Sequence, residues 1–155
     1  MTLVGHNIES PTKQLVLVKE MVNVLITKEC DYGIRIIRAL ADGEKRTVKT
    51  ICEMELVPFK FAYKILKKLQ KAGIVQNKLG QNGGYVRIMP LDEFTLYDII
   101  QAIDERLFLA ECLRGDIECQ RKVEDEYCKV HDELVRLQSL LIDEMKSRSI
   151  AAIME

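Results

Sequence analysis

No stretch of this chain reaches the roughly 18 consecutive apolar residues that a membrane-crossing helix needs. The apolar stretch nearest the N-terminus, residues 14–26, is interrupted by Lys19, Glu20 and Asn23. It has neither a basic start nor a small-residue cleavage site, so no secretory leader is expected and the expected compartment is the cytoplasm. Histidine is scarce, with two in 155 residues. There is no phosphate-cradling glycine loop and no pairing of a nucleophile with a base, so no enzymatic activity is expected. Internal repeats and low-complexity segments are absent. The five cysteines are an odd number, which argues against a disulfide framework and leaves reduced thiols available to bind a metal. What remains is a chain long enough for about one domain, with 48% apolar residues to build its core.

The net charge of -1 gives no hint of a polyanionic partner, but its distribution does. Between Lys45 and Arg87 ten Lys/Arg face only two Asp/Glu, Glu53 and Glu55, a local net of +8 that leaves -9 for the rest. A basic segment on an otherwise acidic body is the electrostatic footprint of a nucleic-acid-facing half.

The apolar periodicity gives mainly α structure with one small β-hairpin. Residues 1–23 read as a loose N-terminal extension. Thr27 is placed to cap a helix from about Lys28 to Ala41, with Ile34, Ile37 and Leu40 on one face. Thr47 caps a second, short helix that Val57-Pro58 breaks. Pro58 suits the first turn of a third helix running to about Ala72, which buries Ala62, Ile65, Leu66 and Leu69 and stops at Gly73. Two helices joined by a tight turn, the second one basic, form a helix-turn-helix. Ile74–Lys78 and Tyr85–Ile88 read as strands around Gln81-Asn82-Gly83-Gly84, where Asn and Gly supply positive φ cheaply. This is the outline of a winged helix over residues 24–92. Residues 93–109 form a linking helix that Thr95 and Asp98 start with a capping-box pattern.

A helix N-terminus enters the major groove in this motif, so the first two turns reach base edges. Lys60, Tyr63 and Lys64 are the expected readers. Lys67, Lys68 and Lys71 lie farther along, near phosphates. Arg46, Thr47 and Lys49 sit where the preceding helix crosses the DNA backbone. The wing tip, Gln81, Asn82, Gly83 and Gly84, is small enough to approach a minor groove, flanked by Lys78 and Arg87.

Residues 110–128 hold three cysteines, Cys112, Cys119 and Cys128, and His131 follows at the spacing Cys-x-x-His. Thiolates and imidazole are the donors of zinc and of iron–sulfur centres alike. Spacing does not separate zinc, a 2Fe–2S cluster or a 4Fe–4S cluster, and a bare thiol switch stays open. Cys30 and Cys52 read as small core residues. In residues 129–155, Val130, Leu134, Leu137, Leu141 and Met145 recur at spacings of four, three, four and four. That apolar seam on a helix of about five turns reads as a homodimer interface, the commonest symmetric assembly.

Taken in order, ITKECDYGIRIIRALA, ILKKLQKAGIV, QNGGYVRI, LYDIIQAID and the Cys…Cys…Cys-x-x-His run resemble the Rrf-two family of bacterial winged-helix transcription regulators, from about Leu25 to the C-terminus. The resemblance implies a homodimer on a two-fold double-stranded DNA operator and a repressor. It also implies an iron–sulfur cluster on the three cysteines that senses redox state, nitric oxide or iron–sulfur status, with a structural zinc or thiol switch as the alternative. It implies two candidates for the fourth ligand, His131 and Asp31. An acidic residue at the latter position resembles a ligand donated by the partner subunit. The gaps of six and eight residues between the cysteines are longer than in many members.

Overall fold

The computed structural model describes residues 25–81, 83–105, 107–115 and 128–155. The expected N-terminal extension, Asn82 and Cys119 lie outside the described residues. Helix α1 spans Lys28–Ala39. The Thr27 hydroxyl accepts the Cys30 amide, a side-chain cap of the expected kind. Helix α2 spans Val48–Glu55 and is capped by Thr47, which accepts the Thr50 amide at 3.1 Å. It ends at Leu56, whose φ of 53° is the left-handed conformation that turns the chain. Helix α3, Phe59–Lys71, starts directly after Pro58. Its buried face is Ala62, Ile65, Leu66 and Leu69, the stripe read from the sequence.

Strands β1 (Val75–Lys78) and β2 (Gly84–Arg87) form an antiparallel hairpin with Val75 opposite Arg87 and Lys78 opposite Gly84. A further bridge pairs Tyr85 with Arg46, whose backbones exchange hydrogen bonds of 2.8 and 2.9 Å. The hairpin is thereby stitched to the chain two residues before α2. The close approach needs a glycine: a Cβ on Gly84 would stand 2.6 Å from the Arg46 carbonyl oxygen. Gly84→Ala is expected to destabilise the fold by about 1–3 kcal/mol, as overpacking against a fixed backbone does. Urea denaturation checks it, and an unchanged midpoint counts against the bridge.

Helix α4, Leu96–Ile103, opens with the full Thr95–Asp98 capping box. It packs Ile99, Ile100 and Ile103 into the same core as α1 and α3. Gly33 of α1 lets Ile103 come close, for a Cβ there would lie 1.9 Å from the Ile103 side chain. A single 3-10 turn, Glu111–Leu113, follows. The long helix α5, Lys129–Lys146, has no buried residue. The chain then folds back as α6, Ile150–Met154, with Ile150 buried and its amide donating to the Phe94 carbonyl at 2.9 Å. Residues expected to be a tail are therefore part of the domain's packing. Glu55 is the one buried charged side chain among the described residues, at 8% exposure. It is held by Arg38, whose Nε donates to both carboxylate oxygens at 3.1 Å, which ties α2 to α1. No described helix is long and apolar enough to cross a membrane.

Candidate nucleic-acid interface and cysteine site

The start of α2, the outer face of α3 and the hairpin enclose one groove of about 250 Å³. It is lined by Thr47, Tyr63, Lys78, Leu79, Gly83 and Gly84, among others. Residues assigned to DNA from three separate stretches of sequence thus meet on one surface. From α3 the groove takes Tyr63, and helical phase sets the lysines on an exposed face of the same helix. At 3.6 residues per turn, Lys60, Lys64, Lys67 and Lys71 fall within about 60° of one another, on the side away from Leu66 and Leu69. All four are exposed. Gln81 is exposed at the wing tip, and so is Leu79, at 90%. Lys49 is exposed, with its ammonium 3.9 Å from Glu53.

Several assigned cations are engaged within the chain. Lys68 is the clearest correction. Its ammonium donates to the Ile103 carbonyl at the end of α4 and lies 3.8 Å from Glu29. It fastens α3 to α4 and α1 and does not project with the other lysines. Arg87 is a second correction: it donates to the carbonyls of Met89 at 2.5 Å and Ala41 at 3.2 Å, supporting the wing from behind. Arg46 pairs with both carboxylate oxygens of Asp42 at 2.5 Å. That guanidinium holds the Asp42 carboxyl well below the usual carboxylate range. Lys64 sits 2.8 Å from Glu29 and stays largely exposed. An exposed pair of this kind is worth about 0–1 kcal/mol, little enough for another acceptor to displace Glu29.

Of the cysteine-site residues, Cys112 and His131 line a single cavity of about 470 Å³ between α4, the 107–115 segment and α5. Tyr97, Gly115, Gln138 and Ile142 help to wall it. The Gln138 amide locks the segment onto α5, donating to the Leu107 carbonyl and accepting the Leu109 amide, both at 2.8 Å. Cys128 is the residue at which α5 begins, so His131 follows it by one helical turn. Cys112 and Cys128 are free thiols, half-buried. Among the described residues no group of three or more His, Cys, Asp or Glu is close enough to hold a metal ion, and Cys119 lies outside them. Asp31 is on α1, ion-paired with Arg35 at 3.0 Å. The structure therefore brings Cys112 and His131 together and leaves Asp31 apart within one chain. The donor chemistry itself, one thiol and an imidazole at one cavity with the Cys128 thiol a helical turn before that imidazole, suits a thiophilic metal. Cys30 and Cys52 differ: burial pushes both thiols up, and both belong to the core or pack on it.

Three features were not read from the sequence: the Arg46–Tyr85 bridge, the Arg38–Glu55 pair and α6. A one-residue bridge has no period to detect. Glu55 occupies an inward helical position that an apolar pattern would have filled.

Fold and groove together define a winged-helix protein. The match to the Rrf2 family, described as an iron-dependent transcriptional regulator, covers residues 26–155, and the chain belongs to that family. It is 34% identical over 97 residues to protein aau3 of Rhizobium meliloti, a stretch covering 61% of this chain and 63% of aau3. It is 26% identical over 99 residues to protein rrf2 of Nitratidesulfovibrio vulgaris, covering 62% and 66%. The aligned stretch is thus less than two thirds of either relative. Among solved structures, T. potens IscR superposes with a TM-score of 0.66 at 16% identity, over 88% of each chain. CymR (YrzC), the global cysteine regulator of B. subtilis, superposes with a TM-score of 0.65 at 20% identity, over 86% of this chain and 96% of CymR. These likenesses show the winged-helix fold.

Proposed function

We propose that the protein is a homodimeric transcription regulator that binds a two-fold operator in double-stranded DNA and acts as a repressor. Its DNA affinity is set by an iron–sulfur cluster held by Cys112, Cys119 and Cys128 with His131 as fourth ligand. The observation that carries the DNA reading is the groove joining Thr47, Tyr63, Lys78 and the wing glycines. What supports the cofactor is that Cys112 shares a cavity with His131, one turn past Cys128. When bound, the cluster supplies an iron–thiolate centre open to redox change and nitric oxide. Zinc is the second reading, because three thiolates and one imidazole also satisfy its tetrahedral preference.

The chain's own residues provide the coupling. Tyr97 and Gln101 of α4 line the cysteine cavity, and the last carbonyl of the same helix, at Ile103, accepts Lys68 of α3. A repacking of the cavity wall therefore acts on the helix that holds the recognition helix. Occupancy of the site biases the pair of DNA-competent and DNA-incompetent arrangements.

Lysine variants test the interface. Lys64→Ala is expected to cost about 1–3 kcal/mol on a specific duplex and to relax sequence preference, as a lost base contact does. Lys71→Ala, at the far end of α3, is expected to weaken all duplexes alike and to lower the salt slope by about one, as a lost phosphate contact does. Equal loss on specific and random DNA for Lys64→Ala removes it from the readers. An unchanged salt slope for Lys71→Ala removes it from the phosphate contacts.

A further inference from the structure

The first two turns of α3 carry an exposed aromatic pair, Tyr63 of the DNA reading above and Phe59, which that reading does not use. Phe59 is the first residue of the helix and 52% exposed, and Tyr63, one turn on, is 44% exposed. Their rings meet edge to face with centroids 4.9 Å apart, an arrangement that fixes both without burying either. The core is complete without Phe59. Phe61, two residues along, packs on the core and against Tyr32 at 5.6 Å. Half-exposing a phenylalanine in water is costly, and here its ring packs on Tyr63, which lines the groove.

The rest of the helix narrows what this end can read. In FKFAYKILKKLQK the first two turns contain no Asp or Glu to accept from cytosine, and no Asn or Gln to bridge adenine. The chemistry offered is lysine, which suits guanine acceptors, and apolar aromatic surface, which suits the thymine methyl.

We infer that Phe59, braced by Tyr63, is a specificity-determining residue that packs on a thymine methyl in the major groove, making the operator half-site thymine-dependent. This rests on the DNA reading above. The methyl is the one apolar group on the major-groove edge of a base pair. Covering it takes about one methylene's worth of apolar surface from water, which corresponds to about fourfold in affinity per contact.

The test uses the full-length protein, purified anaerobically, and duplexes recovered by selection from a random pool. Each thymine of the selected half-site is replaced in turn by deoxyuridine, which lacks only the methyl. Wild-type protein is expected to lose about fourfold at one or more positions in each half-site. Phe59→Ala is expected to bind the thymine and uracil duplexes equally, both more weakly than wild type binds thymine. Phe59→Leu, which keeps an apolar side chain, is expected to retain part of the discrimination and covers the case in which the Ala variant does not fold. A wild-type protein indifferent to every uracil substitution, while still binding the selected duplex tightly, overturns the inference and leaves the DNA reading standing. Undiminished discrimination in Phe59→Ala overturns it too. Failure to select any duplex takes down the DNA reading itself.

Discussion

Replacing Cys112, Cys119 or Cys128 by alanine is expected to abolish cofactor binding while the winged helix stays folded. Four protein ligands are needed to close a zinc or fully ligated iron–sulfur site, and the candidates near the cavity are few. Cys30 and Cys52 do not substitute, because both sit in or against the core with thiols pushed up by burial, whereas a ligand must be a thiolate. The fold does not depend on the site. The described core is built from α1 to α4, the hairpin, Phe94, Leu107 and Ile150, and neither Cys112 nor Cys128 is part of it. Each variant should therefore keep its helical circular dichroism and cooperative melting while losing iron and sulfide, or zinc. His131→Ala is expected to weaken retention without changing the fold. Stoichiometric metal in all three cysteine variants contradicts the assignment.

Leu137→Glu is expected to convert a dimer into a folded monomer that no longer holds the operator. At 100° per residue, the α5 positions that line the cavity shared with α4 and the 107–115 segment, His131, Val135, Gln138 and Ile142, fall on one face, where Gln138 bonds the backbone of Leu107 and Leu109. The seam of Val130, Leu134, Leu137 and Leu141 falls about a quarter turn away. Val130 and Leu137 are exposed and Leu134 and Leu141 are half-buried, while Met145 packs against the domain core. A second copy of the same helix is the covering we propose. In a two-fold interface each substitution counts twice, so two carboxylates would have to be desolvated against apolar surface, at several kcal/mol each. The own-chain face is untouched, so α5 should remain docked. Light scattering should show half the mass, and operator affinity should fall by at least about 100-fold, because one chain then engages one half-site. A wild-type protein that is already monomeric at micromolar concentration contradicts the proposal.

Much of the fold was legible because local rules and tertiary packing agree. Thr27, Thr47 and Thr95 cap the helices expected of them, and Ala62, Ile65, Leu66 and Leu69 are all buried. The lysines were less legible, because a basic helix shows which residues are charged but not what they meet. Lys68 lies about 80° round α3 from Lys60, far enough to reach α4, and only the packing of α4 reveals the carbonyl it caps. Arg87 alternates correctly for a wing strand, yet the end of α1 lies beneath it. The proposed cysteine site rests on chemistry read from the sequence and not on geometry read from it. The donors are plain in the sequence, whereas the cavity that Cys112 and His131 both line exists only because α5 packs against α4 and the 107–115 segment. Leu79 and Phe59 went unremarked because single exposed apolar residues leave no periodic trace.

The central claim is that occupancy of the cysteine site sets DNA affinity. The measurement is anaerobic binding of a selected duplex by one preparation, assayed for iron and sulfide, before and after its cofactor is removed by chelation. The account predicts stoichiometric iron and sulfide in the first state and an affinity change of about 5- to 150-fold between the two, the usual range for coupled sites. Superimposable binding curves for loaded and stripped protein would contradict it.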